Sequence, residues 1–224
     1  ELTADGWGVG VNVGILYELT EHTRFGLTYR SKVSVTEEGK PELSGLTEER
    51  RELLNKFGAL KQDISVDTST PQGVNAGVFH EFENGWSMSL DVAWVNFSDW
   101  GLENVTIGES SIDTQPGHYN DIWATTLGVN YALTPKWEIK SGAFYVSSPQ
   151  DEKYRTASMR LDQMWGVGLG FEYKYRKNRS VAFDVTYIQF GEAKFTAEDV
   201  PVVGDIEGKY TTNYGLVFGL ATKW

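Results

Sequence analysis

The feature that most constrains the fold is a pair of strictly alternating segments joined by a short turn. The residues of the apolar side are Trp123, Thr125, Leu127, Val129 and Tyr131 in the first segment and Trp137, Ile139, Ser141, Ala143 and Tyr145 in the second. A period of two places each set on one face of a strand. The turn Leu133-Thr134-Pro135-Lys136 joins the segments directly, which predicts an antiparallel hairpin.

Aromatic rings stand at both ends of the apolar side of this hairpin, at Trp123, Tyr131, Trp137 and Tyr145. This placement is typical of strands that face lipid, because amphipathic rings lie at the two membrane interfaces. A soluble antiparallel sheet with one buried face would show the same alternation. The hairpin alone therefore leaves both structures open.

The remainder of the chain separates the two structures. Alternation predicts nine strands, within residues 7–17, 25–35, 64–82, 86–100, 123–131, 137–145, 165–173, 181–187 and 214–224. The predicted connections alternate between short and long, as they do in outer-membrane barrels. Glycine and polar residues recur on the side opposite the apolar one, so the apolar band must face outward. These two regularities favour an all-β, antiparallel transmembrane β-barrel over a soluble β protein.

Composition excludes several classes of function. The 224 residues carry a net charge of −11, which argues against nucleic acid as a partner, and they include no cysteine for a disulfide or thiolate metal site. The histidines, serines and acidic residues show no spacing typical of a catalytic or metal site, so we expect no enzyme, no metal and no cofactor. Nine strands is an odd number, which predicts that the chain is the C-terminal portion of a longer barrel, unless Pro71 or Gly191 hides a miscount by one.

Several segments, in order, resemble a known family. They are GWGVGVNVGILYEL with LTYRSKV (7–33), TPQGVNAGVFHEF (70–82), WSMSLDVAWVNFSDW (86–100) and YNDIWATTLGVNYALTPKWEIKSGAFYVSSPQDEKYRTASM (119–159). The chain resembles the C-terminal part of the FadL/TodX family of outer-membrane long-chain fatty acid and hydrocarbon transporters. The terminal aromatic Trp224 resembles the residue that the barrel assembly machinery recognises.

The resemblance implies a fourteen-stranded barrel plugged by an N-terminal hatch, in the bacterial outer membrane. It implies capture of a hydrophobic ligand at external helical loops, transfer to an interior site and release through the wall. We expect residues 1–224 to form a single barrel domain that lacks the hatch and the early strands. Passive uptake of long-chain fatty acids, or secondly of aromatic hydrocarbons, is the expected function.

Cations on the polar side of the strands are the first candidate ligand contacts. Arg30 and Lys32 on the second strand and Lys140 on the sixth face the interior by parity. A fatty acid carboxylate in an apolar lumen needs a cationic partner. The alternative is an ion pair inside the barrel with one of the acids on this side, Glu18, Asp91, Glu138, Glu172 or Asp184.

A helical stripe in the long connection is the second candidate contact. The predicted external helical loop covers residues 39–62, and its apolar residues Leu53, Leu54, Phe57 and Leu60 fall at helical spacing. The stripe either forms a groove wall that captures ligand or packs the helix on the barrel mouth. Arg155 and Arg160, which flank a later loop, either attract lipopolysaccharide headgroups or a ligand carboxylate, or are solvated.

Two other functions stay open. A structural or adhesin-like barrel would bind partners through its external loops and have a plugged polar lumen, whereas a transporter should have an apolar pocket with one or two cations. A lipid hydrolase would need a serine and a histidine within hydrogen-bond reach, and no local spacing supports one. The expected partners of the transporter are outer-membrane lipid, lipopolysaccharide and the barrel assembly machinery, and the expected state is a monomer.

Overall fold

The fold is known from a computed structural model that describes residues 2–41, 47–56, 64–107, 110–113, 118–200 and 204–224. Its elements are β1 Leu2–Asp5, β2 Asn12–Thr20, β3 Thr23–Arg30, β4 Val33–Pro41, α1 Glu48–Lys56, β5 Ile64–Thr70, β6 Gly73–Glu81, β7 Trp86–Val95, β8 Gly101–Ile107, β9 Ser110–Asp113, β10 Ile122–Ala132, β11 Trp137–Val146, β12 Met164–Arg176, β13 Arg179–Gln189, β14 Phe195–Val200, β15 Gly204–Gly208 and β16 Tyr214–Lys223. No helix among these residues is long and apolar enough to cross a membrane.

Nine strands form one antiparallel sheet, the wall sheet, in the order β2-β3-β6-β7-β10-β11-β12-β13-β16. The nine strands lie side by side in the same order in which they occur along the chain. Tight turns join the strands at one end, the short-turn end, and longer segments join them at the other, the long-loop end. The predicted all-β antiparallel wall is therefore confirmed.

The register of the wall sheet keeps apolar residues together on one face. Leu127 lies opposite Leu90 on one side and Ala143 on the other. Phe183 likewise lies between Phe171 and Leu220. This apolar face is exposed, with Leu169 60% and Phe218 67% accessible, and Ala193 is the one buried hydrophobic residue in the described part of the chain. A sheet of this size without a core is stable only where lipid covers its apolar face.

The four wall strands β2, β3, β6 and β7 continue past the wall into a second sheet, the extension sheet, with the order β1-β4-β5-β8-β9. The breaks between the two sheets are residues 6–11, Ser31-Lys32, Pro71-Gln72 and residues 96–100, where a 3-10 turn covers Phe97–Asp99. Pro71 explains its break because proline donates no ladder hydrogen bond. The long connection between β7 and β10 thus contains β8 and β9, and the long connection between β13 and β16 contains the β14–β15 hairpin.

The first predicted strand begins later than the alternation suggested. The strand was expected from Trp7, but β2 starts at Asn12. Glycines are the physical reason: a Cβ on Gly8 would lie 2.7 Å from Cγ1 of Val33 and 2.8 Å from the Ser34 carbonyl oxygen. Such a close approach to β4 replaces the regular ladder, and backbone pairing resumes where Ser31 donates to the Val11 carbonyl at 2.9 Å.

Candidate functional site

The side of the wall sheet opposite the apolar face, the polar face, carries the candidate site. Glycines from neighbouring strands meet there, as Gly142 does with Gly128 on one side and Gly168 on the other. Small residues keep this face open and let larger side chains lean across it. A Cβ on Gly166, for example, would lie 2.5 Å from the ring of Phe144.

An open groove of about 280 Å³ crosses the polar face of β11, β12 and β13. We call it the Lys140 groove. Gly142, Gly168 and Gly170 form its floor, and Phe144 and Lys140 border it. Carbon atoms dominate this lining, so the groove suits an apolar ligand with few polar requirements.

Lys140 is held by two carboxylates. Its Nζ lies 2.6 Å from Oε2 of Glu172 and 3.8 Å from Oε1 of Glu138. Lys174 completes the cluster, with its Nζ 2.8 Å from Oε2 of Glu138. Two lysines and two glutamates therefore balance each other. A ligand carboxylate at Lys140 would have to compete with Glu172, so the geometry favours the ion-pair alternative for this residue.

Arg30 and Lys32 lie at the long-loop end, near the break between the wall and extension sheets. Arg30 is the last residue of β3, is exposed, and lies opposite Asn12 and Gly73. No hydrogen bond or ion pair to its guanidinium occurs within the described ranges. Lys32 is half-buried in the break itself, not in a strand as parity suggested. The structure does not bring either residue to Lys140, which is in a different part of the wall.

The predicted stripe of the external helix is described in part. Helix α1 lies within the segment 39–62, and Glu48 and Glu49 in its first turn suit the helix dipole. Leu53 is 56% exposed, which agrees better with a ligand contact than with packing of the helix on the barrel mouth. The side chain of Leu54 and the whole of Phe57 and Leu60 lie outside the described residues.

A second groove of about 280 Å³ lies on the polar face of β3, β6 and β7, near the short-turn end. We call it the Arg24 groove. The Arg24 guanidinium stands 4.6 Å from the centroid of the Phe79 ring, and Gly26, Gly77 and Asp91 also line the groove. The sequence interpretation missed Arg24, although it shares the parity of Gly26 and Thr28 and so could have been placed on this face.

Asp121, which directly precedes β10, connects this strand to the end of β7 and the 3-10 turn that follows it. Its Oδ2 accepts a hydrogen bond from Trp94 Nε1 at 3.1 Å, and its Oδ1 accepts from Asn96 Nδ2 at 3.1 Å and from Ser98 Oγ at 2.7 Å. Burial alone would raise the pKa of Asp121, but these hydrogen bonds outweigh burial and lower it from 3.8. Asp121 therefore fixes the junction of β7 and β10 as a carboxylate. The described residues include no cluster that could hold a metal ion.

Arg155 anchors the other long loops and is not a surface cation. Its side chain is 3% exposed, and Nη2 lies 3.0 Å from Oδ1 of Asp162. Nη1 donates to the Lys194 carbonyl at 2.7 Å, and Nη2 also donates to the Gln150 carbonyl at 2.8 Å. The expectation that Arg155 attracts headgroups or is solvated is wrong, because these contacts bury it between two loops.

Comparison with known proteins identifies a family that shares this architecture. The family described as outer membrane protein transport protein (OMPP1/FadL/TodX) matches residues 1–223. A long-chain fatty acid transport protein of Escherichia coli O6:H1 (strain CFT073) is 25% identical over 97% of this chain and 51% of its own length. The chain thus spans about half the length of the curated relatives it matches.

Solved structures agree on the fold. A Pseudomonas aeruginosa FadL homologue matches with a TM-score of 0.72 and 19% identity, over 96% of this chain and 52% of its own. The Pseudomonas putida toluene transporter TodX matches with a TM-score of 0.58 and 17% identity, over 98% and 49%. The exposed apolar face is accordingly the lipid-facing side of a barrel wall. The match over residues 1–223 establishes that the chain belongs to the OMPP1/FadL/TodX family of outer-membrane transport proteins.

Proposed function

We propose that this chain takes part in passive uptake of hydrophobic small molecules across the bacterial outer membrane, with long-chain fatty acids as the first ligand class and aromatic hydrocarbons as the second. One observation carries the proposal: the face away from lipid has open, glycine-floored grooves of about 280 Å³ bordered by aromatic and cationic side chains. The relatives named as a fatty acid transport protein and a toluene transporter support the same ligand classes.

The grooves favour transport over an adhesin-like barrel. A structural barrel gains stability when polar side chains fill its interior, because every buried polar group then finds a partner. Here the Lys140 groove keeps a volume of about 280 Å³ above its glycines, and Phe144 supplies an apolar border. Neither the described residues nor the sequence offers a nucleotide motif, so movement down a gradient is the simplest mechanism. We infer a transporter and not an enzyme.

The predicted ligand contacts keep their roles in this proposal. Arg30 and Lys32 would receive a carboxylate entering from the long-loop end, and Lys140 would receive it only by displacing Glu172. Leu53 is exposed on α1, as capture of a hydrophobic ligand requires. The proposed set of ligand contacts also includes Lys140, Leu54, Phe57 and Leu60.

The proposed partners follow from the exposed surfaces. Outer-membrane lipid covers the apolar face, and lipopolysaccharide meets the long loops. Trp224 is 89% exposed at the end of β16, where the barrel assembly machinery could recognise it. A monomer is the proposed state.

Binding to the detergent-purified chain tests the function. Oleate and toluene are titrated into the wild type, into Arg30→Ala/Lys32→Ala, and into Lys177→Ala/Arg179→Ala, which removes two cations at the opposite end of the wall. Saturable binding of both ligands by the wild type supports the proposal, and weaker oleate binding by the first double variant alone assigns the carboxylate to Arg30 and Lys32. Equal oleate binding by all three proteins moves the contact to another residue. Absence of binding for both ligands contradicts the proposed function of the chain.

A further inference from the structure

Arg24 is held in an unusual way for a cation on the polar face. It is half-buried, and its guanidinium stacks on Phe79 with 4.6 Å to the ring centroid. In the described part of the chain, no hydrogen bond reaches the guanidinium and no carboxylate lies within the 4.0 Å of an ion pair. Its five N–H donors therefore have no acceptor among the residues that the structure describes.

A partner for Arg24 was available and is not used. Glu18 lies directly opposite Arg24 in the β2–β3 ladder. Directly opposed side chains in an antiparallel pair have Cβ atoms about 5 Å apart, close enough for an ion pair. The guanidinium instead lies over the Phe79 ring at the border of the groove, and a cation–π contact of this kind uses none of its N–H donors.

The Arg24 groove has room for a chain beside this cation. Gly26 and Gly77 are part of its lining together with Leu16, and a Cβ on Gly26 would meet no atom within 4 Å. Asp91 lines the groove too, two strands away from Arg24. The Asp91 carboxylate lies against Gly77. An amphiphile would therefore place its anionic head at Arg24 and its tail along Leu16 and Gly26, away from Asp91.

We propose that Arg24, stacked on Phe79, binds the carboxylate of a long-chain carboxylic acid in the Arg24 groove. This inference rests on the proposed uptake function and adds to it one more ligand-binding site inside the barrel, which we call the station. Arg24 is the second residue of β3 and lies at the short-turn end, about 20 Å along the strand from Arg30 at ~3.4 Å per residue. Because short turns of outer-membrane barrels face the periplasm, the station lies at the periplasmic end of the wall.

The surrounding acids suit a passing ligand and not a trapped one. Glu18 on β2, Glu81 at the end of β6 and Asp91 on β7 all lie on the polar face around Arg24. They would compete with the ligand for the guanidinium and so limit its residence. A path that conducts needs sites that bind well enough to be entered and weakly enough to be left.

A ligand pair separates the carboxylate contact from apolar binding. Oleate and oleyl alcohol, which have the same chain but different heads, are titrated into the wild-type chain, Arg24→Ala and Arg24→Gln in the same detergent, so that partition into micelles cancels between proteins. We expect both variants to weaken oleate binding about tenfold, the usual effect of losing a charge-assisted hydrogen bond, and to leave oleyl alcohol within about twofold. Arg24→Lys should fall between, because lysine lacks the planar fork.

A steric variant tests the groove independently of charge. Gly26→Val adds a side chain where the structure leaves open space, so it should fold and weaken both ligands. Folding of each variant is checked by the gel shift between unheated and heated samples. Unchanged oleate affinity in folded Arg24→Gln overturns the inference, as does an equal loss for both ligands. If the wild type binds neither ligand, the proposed function fails with it, whereas binding that ignores Arg24 leaves the function standing and removes only this station.

Discussion

The half of the wall sheet from β2 to β7 and the half from β10 to β16 share one alternation but treat charge in opposite ways. In the second half, Lys140 and Lys174 are paired with Glu172 and Glu138. In the first half, Arg24 stacks on a ring and has no acidic partner in the described residues. The comparison teaches that groove volume does not distinguish a site here, since both grooves measure about 280 Å³, whereas an uncompensated cation does.

Backbone geometry differs between the halves as well. The strands of the first half break between wall and extension sheets, while β12 and β13 run for 13 and 11 residues without such a break. In both halves some glycines pack closely against neighbours, as Gly170 does against Asp184 and Gly77 does against the Asp91 carboxylate. Gly26, which lies beside Arg24, has open space instead, and this contrast between Gly170 and Gly26 can be tested by substituting alanine at each position.

The largest expected effect comes from Gly170→Ala compared with Gly26→Ala. A Cβ on Gly170 would lie 2.9 Å from the Asp184 Cβ and 2.9 Å from the Phe183 carbonyl oxygen, so we expect a loss of about 2 kcal/mol of unfolding free energy. A Cβ on Gly26 meets no atom within 4 Å, and alanine there should stabilise the strand by ~0.5 kcal/mol. Urea unfolding in detergent measures both. Equal effects of the two substitutions would show that Gly170 and Gly26 have equally open surroundings.

A smaller effect is expected where the two halves meet, at Asp121. Because hydrogen bonds lower its folded pKa, its contribution to stability is fully present above its ordinary pKa of 3.8 and is lost as pH falls through the lower folded value. Asp121→Asn should cost about 1 kcal/mol at pH 7, and the difference from wild type should shrink below about pH 4. Asp99→Asn, in the adjacent 3-10 turn, is the matched control. If the difference in unfolding free energy between wild type and Asp121→Asn did not change with pH, the carboxylate would not be the group that joins β7 to β10.

The sequence predicted the wall well because its signal is local. A period of two assigns residues to faces whatever the partner strand, so the apolar and polar faces followed from parity, and Pro71 marked its own break. The break at Ser31-Lys32 had no such marker. Gly8 and Gly10 were assigned to a strand because alternation cannot distinguish a regular ladder from a close approach to the side chains of β4.

Contacts between distant residues explain what the sequence could not predict. Arg155 is buried because its guanidinium reaches the Lys194 carbonyl, 39 residues away. Arg24 has Glu18 across one ladder and Phe79 across the other, and parity gives no preference between them. The free energies of an exposed ion pair and of a cation–π contact are both below about 1 kcal/mol, so geometry decides, not residue type.

The smallest expected effect asks whether an uncompensated cation is sufficient to make a carboxylate site. Glu172→Gln removes the partner 2.6 Å from Lys140, which is 42% exposed, so we expect a stability loss of at most about 1 kcal/mol. In an Arg24→Gln background, this change should raise oleate affinity about threefold and leave oleyl alcohol unchanged, because Lys140 borders its groove and keeps only the longer, 3.8 Å contact with Glu138. Glu138→Gln is the matched control, since it releases mainly Lys174, which does not line the groove. A rise with both variants would mean that net charge attracts oleate, and a rise with neither would mean that charge compensation is not what separates the two halves.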